Sequence, residues 1–410
     1  MKYKRFKTPN GVNVILYPLN DIHSVRVIIK TYGGNFIDGN KKFGISHLLE
    51  HIILASNQEE TRKIESYGGW LNGEAEDENI TFVGGCHYRY AEKYIASIIN
   101  IITNCKITEQ VLKKEKETIK NEIMEAKSNV ESFAWHKVQR ARFIGHYRKS
   151  LIDSEKAIDA ISISGAKSLY SKMLNPSRMH IAVCGKINSV RVRSTLEKVL
   201  GKIPYIAVKD CELSDPIYSK ELIKKYKFDI DGAKVYITLP GLTMKDSIKE
   251  RLTLNLIASA LNDTHNSRLF KLLRDEKLTY DVGTSTIMRS KCGLFVVDFM
   301  CLSKNITKSI KTIKDTLENI ASNGLTDDEI QHHKNYLDLT VDTYFDYPEN
   351  VCEWLVDDMI YEREIVLPDK IREIRRSITR NDVNKIAKKI FDLDKINIVI
   401  VGNIGVSIIS

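Results

Sequence analysis

Three residues in the stretch "GISHLLEHIIL", positions 44 to 54, are out of place in so apolar a segment: His47, Glu50 and His51. Residues four apart share one face of a helix, so His47 and His51 can aim their imidazoles at a single ion. Glu50, beside His51, can reach the same point without being a ligand. Two neutral imidazoles suit Zn²⁺, and a neighbouring carboxylate can take a proton from water that the metal acidifies. The spacing HxxEH inverts the more familiar HExxH zinc helix. The competing reading is a pair of helix-surface histidines. Against it, Leu48, Leu49, Ile52, Ile53 and Leu54 leave little room for a solvated face.

A catalytic zinc needs a third protein ligand. "TEQVLKKEKETIKNEIMEAKS" reads as a helix with Thr108 as its N-cap. Leu112, Ile119 and Ala126 mark an apolar stripe along it, and Glu115 and Glu122 fall on that stripe. Two carboxylates on an inward face are costly unless a cation meets them. The competing reading is a shallow stripe from which both glutamates reach out to solvent; if one of them is a ligand, Glu122 is the better candidate, with Glu115 then the group behind the ligands.

Taken jointly, Gly44, His47, Glu50, His51, Glu115 and Glu122 resemble the GxxHxxEH…Glu…Glu pattern of the pitrilysin and mitochondrial-processing-peptidase family of zinc metallopeptidases. The resemblance covers essentially the whole chain. His51 and Glu122 are 71 positions apart, slightly short for that family. It implies that His47, His51 and Glu122 hold one Zn²⁺ per chain and that Glu50 is the general base. "GGWLNGEAEDEN" is similar to the family segment that leads into an edge strand, where an extended substrate adds by β-augmentation. That places Asn72, Gly73, Glu74 and Ala75 beside the peptide. "SRLFKLLRDEKLTY" is similar to the segment whose arginine and later tyrosine face the zinc across a cavity, here Arg274 and Tyr280. The family usually has a glycine between those two and a separation of seven; this chain has no glycine there and a separation of six.

The elements that must position these residues follow from periodicity. "VNVILYPL" and "SVRVIIKTYGG" alternate like strands and read as a hairpin around "NDIH". "YAEKYIASIINIITNC" reads as a helix and "MHIAVCGKI" as a buried strand. Laid without gaps over "SLYSKMLNPSRMHIAVCGKI", the segment "KIAKKIFDLDKINIVIVGNI" repeats its helix, turn, strand pattern 217 positions later. The second half carries no counterpart to His47, Glu50 and His51. The expected class is α+β, with two similar α/β-sandwich domains. They comprise residues 1–202, carrying the metal, and 230–410, with a charged linker at 203–229. By resemblance they form half of a clamshell chamber.

With 410 residues, 43% of them hydrophobic and 28% charged, the composition is that of a globular chain large enough for two cores. The net charge of +9 is spread rather than blocked, and no nucleic-acid motif occurs. No apolar run is long enough for a membrane span, and the N-terminus lacks the features of a signal peptide. Seven scattered cysteines without a CxxC pair fit a reducing compartment, the cytoplasm. The expected function is a zinc endopeptidase acting on short or unfolded polypeptides. As a half-length member it would pair with itself or with a paralogous subunit, so that Arg274 could serve the other subunit's zinc. The alternatives are a substrate-binding or scaffold subunit of a heterodimeric processing peptidase, and a zinc hydrolase of another kind.

Overall fold

A computed structural model describes residues 3–204, 213–219, 222–279, 281–361 and 363–403. In the first half, strands β1 (Lys4–Lys7), β2 (Asn13–Pro18) and β3 (Ser24–Tyr32) precede helices α1 (Ile45–Ser56) and α2 (Gln58–Glu65). Strands β4 (Trp70–Ala75) and β5 (Asn79–His87) follow. Then come α3 (Ala91–Thr103), α4 (Glu109–Ser128), α5 (Val130–Arg142), the short β6 (Phe143–Ile144), α6 (Ile163–Met173), β7 (His180–Gly185) and α7 (Ser189–Leu200).

The second half begins with β8 (Ile217–Tyr218), β9 (Leu222–Lys227) and β10 (Ala233–Pro240), then α8 (Ile248–Asn262) and α9 (Arg268–Asp275). Strands β11 (Val282–Met288) and β12 (Gly293–Cys301) precede α10 (Ile306–Asn323), α11 (Asp327–Phe345) and α12 (Pro348–Ile360). The described chain closes with α13 (Pro368–Arg376), α14 (Arg380–Ile390) and β13 (Asn397–Gly402).

The first sheet runs β1-β2-β7-β3-β5-β4 and the second β11-β12-β10-β13-β9. Read from the other end, the second repeats the first without β1. In each, one parallel pair (β2 with β7, β9 with β13) is followed by antiparallel neighbours. The offset of 217 carries His180–Gly185 onto Asn397–Gly402 and Ile163–Met173 onto Arg380–Ile390. The chain is thus a mixed α/β protein of two domains with one topology.

Two sequence expectations are corrected. β2 and β3 are not a hairpin: β7, nearly 150 residues on, lies between them, parallel to β2 and antiparallel to β3. Its side chains from Ile181 to Cys184 are fully buried, so the strand with no polar face takes the central position. Within the segment read as linker, Leu222–Lys227 is a strand, paired in parallel register with β13.

The compact units also depart from a contiguous division. The first comprises residues 1–123, 153–213 and 343–366; the second comprises 124–152, 214–342 and 367–410. Helix α5 of the first half therefore belongs with the second sheet, where Ala134, Val138 and Ala141 pack with Val399 and Val401. Helix α12 of the second half belongs with the first sheet. Its Val351, Cys352, Leu355, Val356 and Met359 are almost wholly buried there.

Candidate functional site

Helix α1 starts in an unusual way. Its N-cap is Gly44, left-handed at φ 89°, so it offers no capping side chain. A Cβ at that position would also lie 2.7 Å from the Ser154 Cβ. The cap comes instead from Asp38, six residues earlier. Asp38 Oδ2 accepts the N–H groups of Gly44 and Ser46 at 3.0 and 3.1 Å, and Oδ1 accepts the Ser46 hydroxyl at 2.6 Å. Ser46 Oγ in turn accepts the Gly34 N–H at 2.8 Å. Burial pushes the Asp38 carboxyl up to about 6, against the pull of these hydrogen bonds. Asp38 and Ser46 hold the start of α1, and the sequence reading missed both. The only signal was a glycine where the helix needed a cap.

From that start, α1 buries Leu48, Leu49, Ile52 and Ile53 completely and leaves His47 and His51 half-buried. Helix α4 begins as expected, with the Val111 N–H donating to Thr108 Oγ1 at 3.3 Å. Its buried stripe is Leu112, Glu115, Ile119 and Ile123, with Glu122 at the rim.

The two helices bring the predicted donors together. His47 Nε2 and His51 Nε2 are 3.1 Å apart. Glu122 reaches both imidazoles, Oε2 to His47 Nε2 at 3.4 Å and Oε1 to His51 Nε2 at 3.4 Å. These are the only three His, Cys, Asp or Glu side chains among the described residues whose donor atoms cluster closely enough to hold a metal. Four donors at Zn–N and Zn–O distances of about 2.0–2.1 Å form a tetrahedron with edges of roughly 3.3–3.4 Å. The three approaches, one to each Glu122 oxygen and one between the imidazoles, lie close to that edge length, and two imidazole nitrogens with a carboxylate are an ordinary zinc donor set, so the residues fit the ion. Burial, reinforced by neighbouring His51, pulls the His47 imidazole down to about 4. It is therefore neutral at physiological pH, as a ligand must be. The Glu122 side chain is 37% exposed, so the cluster is open to solvent on that side.

Two carboxylates stand behind the donors. Glu115 Oε2 lies 3.4 Å from His51 Nδ1, the ring nitrogen facing away from the cluster, where it can orient that ring. Glu50 is 4% exposed, with Oε2 3.7 Å from His51 Nε2. Burial pushes its carboxyl up to about 7, against the opposing pull of His51.

The floor under Glu50 is strand β4, the outermost strand of its sheet on that side. A Cβ built on Gly73 would come within 2.2 Å of Glu50 Oε1, so glycine is what lets the strand pass this close to the carboxylate. Asn72 and Glu74 are exposed on either side of it, and Ala75 is half-buried. β4 pairs only with β5, leaving its other edge without a strand among the described residues.

The C-terminal candidates lie in the second unit. Arg274 is exposed near the end of α9, its guanidinium 5.3 Å from the Phe270 ring centre. Tyr280 lies outside the described residues. Helix α9 ends in two hydrogen bonds, Lys277 N–H to Arg274 O and Leu278 N–H to Leu273 O, both 2.9 Å. That motif puts the intervening residue in the left-handed region, where glycine is usual. Here it is Lys277, φ 55°, the one non-glycine residue with positive φ among those described. Holding an L-residue there costs about 1–2 kcal/mol.

Comparisons with known proteins bear on the family of the chain. The family model described as "Insulinase (Peptidase family M16)" matches residues 14–155, which contain the whole cluster. The model described as "Peptidase M16 inactive domain" matches residues 161–337. An "uncharacterized zinc protease" of Streptomyces coelicolor is 22% identical over 403 residues, 92% of this chain and 87% of its own length. The "uncharacterized zinc protease YmxG" of Bacillus subtilis is 21% identical, covering 82% of each chain. Among solved structures, a Pseudomonas fluorescens protein described as a peptidase M16 inactive domain superposes with a TM-score of 0.89 at 16% identity, over 99% of this chain and 98% of that one. A Helicobacter pylori protease gives 0.87 at 16% identity, over 98% and 99%. With both family domains matched in order and the shared fold spanning nearly the full length, the chain belongs to the M16, pitrilysin-like family.

Proposed function

We propose that this protein is a zinc-dependent endopeptidase that cleaves short or unfolded polypeptides. The observation that carries the reading is the convergence of His47, His51 and Glu122 beside a buried Glu50 that lies against an open edge strand. Relatives named zinc proteases add support.

When bound by those three residues, the ion supplies Lewis-acid chemistry, polarising a carbonyl and acidifying water. The protein supplies the rest. An extended peptide adds to the free edge of β4 at Asn72–Ala75, where main-chain hydrogen bonds hold it with little regard to side chain. Gly73 places the peptide backbone near Glu50. Glu50 takes the proton of the attacking water on a carboxylate oxygen and delivers it to the leaving amine. Glu115 holds His51 in one ring orientation, and Asp38 anchors the start of the helix that carries both imidazoles.

In this reading Arg274 and Tyr280 help hold the substrate and stabilise the oxyanion. The chain works in the cytoplasm as a homodimer or beside a paralogue, and the paired subunits close a chamber around the peptide. No helix among the described residues is long and apolar enough to cross a membrane.

The test is Glu50→Gln, with peptide hydrolysis and zinc content measured on the same sample. Zinc should stay stoichiometric while kcat falls roughly 10²–10⁴-fold, the share general acid–base groups contribute. Glu122→Ala should lose the metal. Wild-type cleavage that survives complete chelation, or a wild-type protein that binds zinc yet cleaves no peptide without a partner subunit, would sink the reading. The second outcome would favour the scaffold alternative.

A further inference from the structure

Beyond the metal cluster, the second unit holds a cleft of about 540 Å³ whose lining includes Asp231, Arg274, Lys277, Met300, Leu302 and Asn305. Lys277 is the strained residue at the end of α9. Glycine would complete that helix end without strain, and Arg274 already supplies a cation to the last turn. The helix alone therefore gives no reason for a lysine. The Asn305 side chain fixes the turn further, donating to the carbonyls of Leu278 at 2.9 Å and Lys277 at 3.4 Å. Backbone strain held in place by its surroundings is a mark of functional positions.

What the lysine adds is a second cation in the cleft. Arg274 and Lys277 outnumber the single Asp231. Met300 and Leu302, 44% and 55% exposed, give the cleft an apolar wall. Apolar walls with a few placed charges suit a flexible chain bearing an anionic group. We infer that Lys277, with Arg274, forms a subsite that binds a carboxylate of a peptide, supplied by an acidic side chain or by a free C-terminus. The inference rests on the peptidase reading for the nature of the ligand, but its test does not depend on turnover.

The experiment uses full-length, zinc-loaded Glu50→Gln protein and dye-labelled unstructured decapeptides, read by fluorescence anisotropy. Four peptides differ in Glu against Gln at internal positions and in a free against an amidated C-terminus. The charged forms should bind about tenfold more tightly, a factor one charge-assisted contact can supply. The arm in which the preference appears identifies the source of the carboxylate. Adding Lys277→Gly should erase the preference and raise the melting temperature by roughly 2–4 °C as the strain is released. Equal binding of charged and neutral peptides overturns the inference. So does a preference that survives Lys277→Gly, or a melting temperature that falls with the substitution. A carboxylate preference lost in Lys277→Gly, found beside a wild-type protein with no hydrolytic activity, would leave the subsite standing and remove the peptidase reading.

Discussion

At the scale of single residues, the site depends on what is missing as much as on what is present. Gly73 is the clearest case, because the space its side chain would fill is taken by the Glu50 carboxylate. Gly73→Ala should push Glu50 aside without touching a metal donor. The expected result is unchanged zinc content with kcat lowered about 10²-fold, the penalty of misplacing a reacting group by an ångström. A variant with full activity would show that Glu50 tolerates displacement and would weaken its role as base. The convergence of His47, His51 and Glu122 was legible in the sequence because helical spacing converts directly into geometry. Residues four apart share one face, so His47 and His51 had to converge, and a spacing of seven put Glu115 and Glu122 on one face of α4, two turns apart. Asp38 was not legible, because a cap delivered from six residues away by a loop leaves no periodic signature.

At the scale of elements, α9 is held at both ends. At its start, Arg268 forks onto Glu329 near the start of α11, Nε to Oε1 at 2.6 Å and Nη2 to Oε2 at 2.8 Å. The Thr326 N–H adds a third contact to Oε2 at 2.7 Å. Burial alone would raise the Glu329 carboxyl, but Arg268 and Thr326 outweigh it and hold it at about 2, below its ordinary 4.5. A carboxylate whose pKa is lower in the folded state contributes stability that is complete above its unfolded value and is lost as pH falls through the folded one. Glu329→Gln should therefore melt earlier than wild type at pH 7. The gap should narrow as pH drops from about 4.5 towards 2. A gap independent of pH would mean that packing, not the ion pair, seats α9. Strand pairing was the weak point of the sequence reading at this scale. β2 and β3 are close in sequence and both alternate, so a hairpin was the natural expectation. Nothing local announces that β7 will come between them.

For the molecule as a whole, the repeat was legible and the exchange of helices was not. The gapless match between α6–β7 and α14–β13 rests on local apolar pattern, which sequence displays. That α5 and α12 each serve the sheet of the opposite half depends on which surfaces they cover, which sequence does not display. The consequence can be measured. A fragment of residues 1–202 lacks α12, each of whose buried side chains contributes about 1.5–3 kcal/mol when removed from water. Alone it should melt without a cooperative transition by circular dichroism. Mixed with a fragment of residues 203–410, it should regain one. A sharp transition for the first fragment alone would show that the helix is dispensable.

The exchange also bears on ancestry. Val130–Arg142 and Pro348–Ile360 occupy matching places in the repeat, and each has left its own half for the other. Two copies of a single-domain forerunner that traded this helix would have formed a domain-swapped pair, a low-cost route to a dimer. Fusing such a pair tail to head preserves the trade in one polypeptide.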